Sequence, residues 1–239
     1  MLIRAALGLL LVTATPVAVH RAVSSGTPGT PKTYVQSVGA TSGSCSPTCS
    51  LTWAAGAVGS GHAVVGMLFW QPQSVTVASV TDGMGNTYNL GTKVNDAGGT
   101  FSTQTVFLGN ITNAPGNIIV NFSASNGGFL SKFDEYSGSA ALSNPTDGAA
   151  NQNQSPPPGT TDGTTSGNIT TTVTNDLIWS ATVNMSGNSM TAGTGFTSRG
   201  NQGGFVFTED KNLATAGTTA GTWTLGTTGN TITSVIAIK

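Results

Sequence analysis

Only two glutamates occur in the 239 residues, Glu135 and Glu209. In FLSKFDEY, strand alternation puts Glu135 on the face of Phe129 and Phe133. In FVFTED it puts Glu209 on the face of Phe205 and Phe207. A carboxylate on an apolar face is costly unless it is paired or hydrogen-bonded. Two such groups facing each other about 5 Å apart would suit a retaining glycosidase. The competing reading makes each one a brace near its strand's end. Glu135 would accept from the backbone of YSGS, and Glu209 would pair with Lys211 or Arg199. The bracing role is the stronger expectation, because the E-x-D-x-x-E spacing of one sandwich glucanase family is missing. A glycoside hydrolase using Glu135 and Glu209 is the alternative.

Other residue types add little catalytic promise. A nucleophile triad would depend on His62, since His20 lies beside the N-terminal apolar segment, and no G-x-S-x-G elbow is present. A hydrogen-bonded histidine at a strand end is the expectation for His62. No phosphate loop or dinucleotide fingerprint occurs, so no cofactor is expected. In SVTDGMGNTYNL, Asp82 and Asn86 could be read as metal ligands. Calcium needs six to eight oxygens, however, and these two supply too few. The expected role of DGMGN is a glycine-rich hairpin loop, with Asp82 and Asn86 bonded to nearby backbone. Cys45 and Cys49 read as a disulfide in an oxidising compartment rather than as a metal or redox pair. Among the aromatics, Trp53 and Trp179 alternate with core residues. Trp70, beside QPQ, and Tyr88 are the candidates for stacking on a sugar.

The elements that must position these residues are short strands. Apolar residues alternate or form blocks between Gly, Asn, Asp and Pro, and no run carries a helical period. The spacing predicts strands at 33–38, 50–55, 62–70, 74–81, 87–93, 101–108, 117–123, 129–136, 167–172, 176–183, 194–199, 205–209, 218–225 and 231–238. Many short strands with frequent turn signals argue for an all-β sandwich or barrel. AVVGMLFW is apolar on both faces and reads as a central strand covered by a loop, or as a strand whose outer face meets a partner. In DLIWSATV, Ser180 and Thr182 form the polar face. No internal repeat is legible. Residues 139–165 contain a long connection without hydrophobic period, which reads as a mobile surface loop or as a segment that covers a sheet edge or lines a groove.

Composition sets the setting. Charged residues make up 7% of the chain and the net charge is -1, against roughly 25% charged residues in an ordinary soluble domain. Hydroxyl and amide side chains take their place. No basic patch is available for nucleic acid or an anionic membrane. The N-terminal Arg4 and the apolar run Ala5–Val19 read as a secretion signal over residues 1–24, with an uncleaved anchor as the alternative. Residues 25–32 read as a flexible linker, and residues 33–239 as a single β-sandwich domain.

SVTDGMGNTYNL, FDEYSG, NDLIWSATV followed by GFTSRG, TEDKNLATAGTTAGTWTL and ITSVIAIK resemble a group of uncharacterised bacterial secreted domains. The resemblance covers Lys32 to Lys239. It implies an all-β, two-sheet antiparallel sandwich, jelly-roll-like, in a surface or secreted protein, and it implies no established catalytic residues. It also gives weight to a fold-supporting role for Glu135 and Glu209.

The expected function is therefore that of an exported, non-catalytic protein. It would act in carbohydrate binding, adhesion or assembly of an extracellular structure. Its partners would be a polysaccharide or cell-surface glycan, or further copies joined through strand edges or the 21–38 segment.

Overall fold

The computed structural model describes residues 31–53, 56–138, 146–154, 163–187, 189–226 and 229–239. The secretion signal and most of the linker expected from the sequence lie outside them. Among the described residues there is no helix. The chain is all-β, built from antiparallel sheets packed as sandwiches.

Its strands are β1 (Thr33–Ser42), β2 (Thr48–Thr52), β3 (His62–Gln71), β4 (Val77–Thr81), β5 (Asn89–Leu90), β6 (Val94–Asn95), β7 (Ser102–Ile111), β8 (Asn117–Phe122) and β9 (Gly128–Ser137), followed by β10 (Thr146–Gln154), β11 (Gly163–Thr170), β12 (Asp176–Asn184), β13 (Met190–Ala192), β14 (Thr197–Gln202), β15 (Val206–Leu213), β16 (Thr218–Leu225) and β17 (Thr231–Ile238).

They form four sheets rather than two. The first half of the chain makes an inner sheet ordered β1-β9-β3-β7-β5, with β6 also on β7, and an outer sheet β2-β8-β4. The second half makes an inner sheet β10-β17-β12-β15-β14 and an outer sheet β11-β16-β13. Numbered from one within each half, both inner sheets read 1-8-3-6-5 and both outer sheets read 2-7-4, with β5 and β6 together in the place of β14. That winding is a jelly roll, made twice. The two inner sheets then pack face to face: β3 lies against β12, β9 against β15 and β14, β1 against β14, and β6 against β10. Exchanging the halves preserves the β3–β12 contact and interchanges β1–β14 with β6–β10, whereas the contacts of β9 with β14 and β15 have no counterpart in this set, so the stack is only partly symmetric.

Three cores follow. The first fills the first sandwich and contains Val64, Leu68, Trp70, Ile118, Phe129 and Phe133. The second lies between the inner sheets, where Val65, Met67 and Phe69 of β3 meet Leu177, Trp179 and Val183 of β12. The third, in the second sandwich, is small and centres on Ile169, Ile178, Val235 and Ala237. Apolarity on both faces of AVVGMLFW is thus explained, since β3 is covered by one core on each side. The polar face of DLIWSATV is buried as well, with Ser180 and Thr182 at 0% exposure. The Ser180 hydroxyl accepts from Trp223 Nε1, Thr182 bonds Thr233, and Thr164 bonds both Thr231 and Thr233.

Two sequence expectations about elements need correction. The long connection contains β10, paired with β17 through its backbone. TDGAANQNQ has no large apolar residue, so an edge strand held by ladder bonds left no hydrophobic period to read. The hairpin expected around DGMGN exists locally, with a Thr81–Thr87 bridge and a Tyr88 N–H to Val80 carbonyl bond. Its arms then separate, because β4 belongs to an outer sheet and β5 to an inner one.

Candidate functional site

Glu135 is fully inside the first sandwich, at 1% exposure. Its position on β9, in line with Phe129 and Phe133, aims it toward the outer sheet. One carboxyl oxygen accepts from the Gly59 N–H at 2.7 Å and contacts His62 Nδ1 at 2.5 Å. The other accepts from Gln36 Nε2 at 2.5 Å. Glu135 therefore fastens the loop before β3, and strand β1, to the middle of its sheet. The acceptor role expected of it holds, but its partners are Gly59, His62 and Gln36 rather than the YSGS backbone. His62 is the hydrogen-bonded strand-end histidine the sequence suggested.

Glu209 occupies the second sandwich at 0% exposure, on the face of Phe207, whose ring packs edge-on against Trp223 of the outer sheet. Oε2 accepts from the Gly193 N–H at 2.8 Å. Burial pushes its pKa up to about 8, against the lowering effects of the Gly193 and Thr222 backbone, the Ser180 hydroxyl and nearby Lys211. Ser180 in turn accepts from Trp223 Nε1 at 3.1 Å. The expected pairing of Glu209 with Arg199 is not made, since Arg199 bonds Asp210 instead.

The two glutamates do not face each other. Each points from an inner sheet toward its own outer sheet, with the shared core between them. Stacked sheets lie roughly 10 Å apart, so carboxyls pointing away from such a pair are farther apart than either glycosidase geometry needs.

The densest group of ionisable side chains lies elsewhere, between the inner sheets along β1, β9 and β14. Lys132 Nζ meets Asp134 Oδ1 at 2.7 Å, both almost wholly buried. Asp134 also accepts from the Ser37 hydroxyl at 2.5 Å and, across the interface, from Trp179 Nε1 at 2.8 Å. Lys132 donates to Ser37, and Ser37 bonds the Tyr34 hydroxyl. Beside this set, Asp210 takes a two-point contact from Arg199, at 2.6 and 2.9 Å, and accepts from the Tyr136 hydroxyl at 2.5 Å. The Arg199 guanidinium sits 4.4 Å from the centre of the Tyr34 ring. Burial, with Asp134 and Asp210 close by, holds the Tyr136 phenol well above its usual pKa. The hydrogen bond to Asp210 raises that of Arg199. Every carboxylate here is matched by a cation or a donor, which is the condition for keeping charge inside a protein. Sequence reasoning missed this group because its members come from five strands. The alternation K-x-D-x-Y in SKFDEYS, on the face opposite Glu135, was the available signal.

The remaining candidates are structural. Asp82 accepts four bonds, from the Met84 and Asn86 N–H groups through Oδ1 and from Asn86 Nδ2 and the Tyr88 hydroxyl through Oδ2. Its oxygens and Asn86 are thus engaged in closing the loop rather than arranged around a cation. Among the described residues no group of three or more His, Cys, Asp or Glu side chains could hold a metal ion. Trp70 and Tyr88 are not surface platforms. Trp70 is at 0% exposure, with Nε1 bonded to the Val75 carbonyl at 2.9 Å, and Tyr88 is at 3%. QPQ follows Trp70 in the chain, but β3 is central, so the side chain before the turn still enters the first core. Cys45 and Cys49 form the disulfide expected, with Cα atoms 5.3 Å apart.

No family model, curated protein or solved structure matches the chain.

Proposed function

We propose that the chain is an exported, non-catalytic protein of the cell surface or extracellular space that works by binding or assembly. The observation that carries this reading is the use made of its reactive side chains. Glu135, Glu209, Asp134, Asp210, Lys132 and Asp82 are each engaged in bonds that hold sheets or loops together. The aromatics that could have stacked on sugars, Trp70 and Tyr88, are core. A disulfide is compatible with an oxidising compartment, and a hydroxyl- and amide-rich surface suits contact with polymers or other protein surfaces without strong charge.

The test is a depletion assay on insoluble cellulose, chitin, xylan and peptidoglycan, with released sugar measured in the same tubes. The expected result is no sugar release from any polymer. Saturable depletion on one polymer identifies carbohydrate attachment as the task, and no depletion assigns the chain to assembly or protein binding. Sugar release that Glu135→Gln or Glu209→Gln abolishes while the fold stays intact would overturn the reading in favour of the hydrolase.

A further inference from the structure

Strand β1 is ten residues long and, among the described residues, ends the first inner sheet, with β9 on one side and no strand on the other. Its sequence, TYVQSVGATS, contains no charge and no proline. From Gln36 to Ser42 it runs in unbroken register with β9, after a bulge at Tyr34–Gln36. Exposed edges of this kind pair with other strands unless something blocks them. Several other edges among the described strands are blocked. β14 carries Arg199 and a bulge between Ser198 and Asn201, β5 and β6 have two residues each, and β11 is interrupted between Thr165 and Asn168. Val35, one of two large apolar side chains exposed among the described residues, also lies on β1.

We propose that β1 pairs antiparallel with β1 of a second copy of this chain, about a twofold axis near Gly39. This rests on the assembly branch of the proposed function. The sequence of the strand fits itself in that register. Gln36 would stand opposite Ser42, Ser37 opposite Thr41 and Val38 opposite Ala40. Val38 and Ala40 already pack in the first core, so the core would continue across the join. The chain's own N-terminal segment fits less well. Asn212 brackets Lys32 through both its backbone N–H and its carbonyl, which fixes the entry into β1 from the second sandwich. Pro28 and Pro31 also lack the N–H groups a neighbouring strand must donate. The counterpart edge, β10, reads GAANQNQ beyond its register shift and offers no apolar anchor.

Sedimentation equilibrium on the full chain, and on residues 25–239, which retain every described strand, measures the mass. Both are expected to be dimers, and Val35→Lys, which adds a charge to the edge, is expected to halve the mass. Gly39→Cys in a Gln202→Ala background, which removes the side chain lying over Gly39, is expected to form an intermolecular disulfide under oxidising conditions. A chain that stays monomeric at its highest soluble concentration overturns the proposal, as does a dimer that survives Val35→Lys without the Gly39→Cys cross-link. A dimer that needs residues 1–24 overturns it in favour of the N-terminal segment, and growth beyond a dimer in favour of pairing between β1 and β10. None of these outcomes bears on sugar release or depletion, so the broader reading stands or falls separately.

Discussion

Glu209 is held in the folded chain largely as a neutral acid at pH 7. Its pKa rises from the usual 4.5 to about 8, chiefly because burial disfavours the charge. The folded state then binds a proton more readily than the unfolded one between those two values. Stability from this group is fully present below about pH 4.5 and is lost as pH rises toward 8. The loss is steepest between the two values, at about 1.4 kcal/mol per pH unit. Glu209→Gln keeps an acceptor for the Gly193 N–H and cannot ionise. Melting temperatures measured from pH 4 to 9 should therefore fall through this window in the native chain and show a flatter course in Glu209→Gln. An unchanged slope would mean that the carboxyl ionises freely in the fold. Lys132 and Asp134 illustrate the other solution to buried charge, in which the two groups neutralise each other and share Ser37.

At the scale of elements, Asp82 shows how one side chain can shape a loop. Four donors converge on its carboxylate within TDGMGNTY, and the Tyr88 hydroxyl among them anchors the loop to the core. Asp82→Ala should cost about 1–3 kcal/mol, the range for leaving a buried donor such as the Tyr88 hydroxyl unsatisfied, measured as a lowered urea midpoint with an unchanged m-value. Asp82→Asn, which retains one acceptor oxygen, should lose less. This loop was legible in the sequence because turn chemistry is local: Asp, Gly and Asn at short spacing suffice. The strands β16 and β17 were legible to the residue for a similar reason, since Gly217 and Gly226 bracket β16 and the GTTGN segment precedes β17. β10 was not legible, because a ladder of backbone bonds leaves no trace in side-chain type. Trp70 and Tyr88 were misplaced for a related reason. Their neighbours in sequence are polar, and only the sheet order shows that β3 is central. The polar group around Asp134 and Asp210 needed tertiary structure, since no spacing rule connects Ser37, Asp134, Trp179, Arg199 and Asp210.

At the scale of the whole molecule, the repeated winding explains why no repeat could be read. Equivalent strands carry different chemistry on their outward faces. Val64, Gly66, Leu68 and Trp70 line the first sandwich, whereas Ile178, Ser180, Thr182 and Asn184 line the second. The inward faces of β3 and β12, turned to the common core, remain apolar in both. The second sandwich has the smaller apolar core and leans on the inner interface for much of its hydrophobic stabilisation. Thus the halves should unfold together, although each has a complete jelly-roll winding. Trp179 tests this. It is fully buried in the shared core and donates to Asp134 of the other sandwich. Trp179→Ala should destabilise the chain by about 3–5 kcal/mol, as large core truncations do. Its effect should reach both halves equally. Variants that keep only Trp53 as fluorophore report on the first sandwich, and variants that keep only Trp223 report on the second. Expected are coincident melting curves in both reporter backgrounds, with the same downward shift when residue 179 is alanine rather than phenylalanine. A Trp223 transition that moves while the Trp53 transition stays in place would show two independent sandwiches, and the inner sheets would then be a docking surface rather than a core.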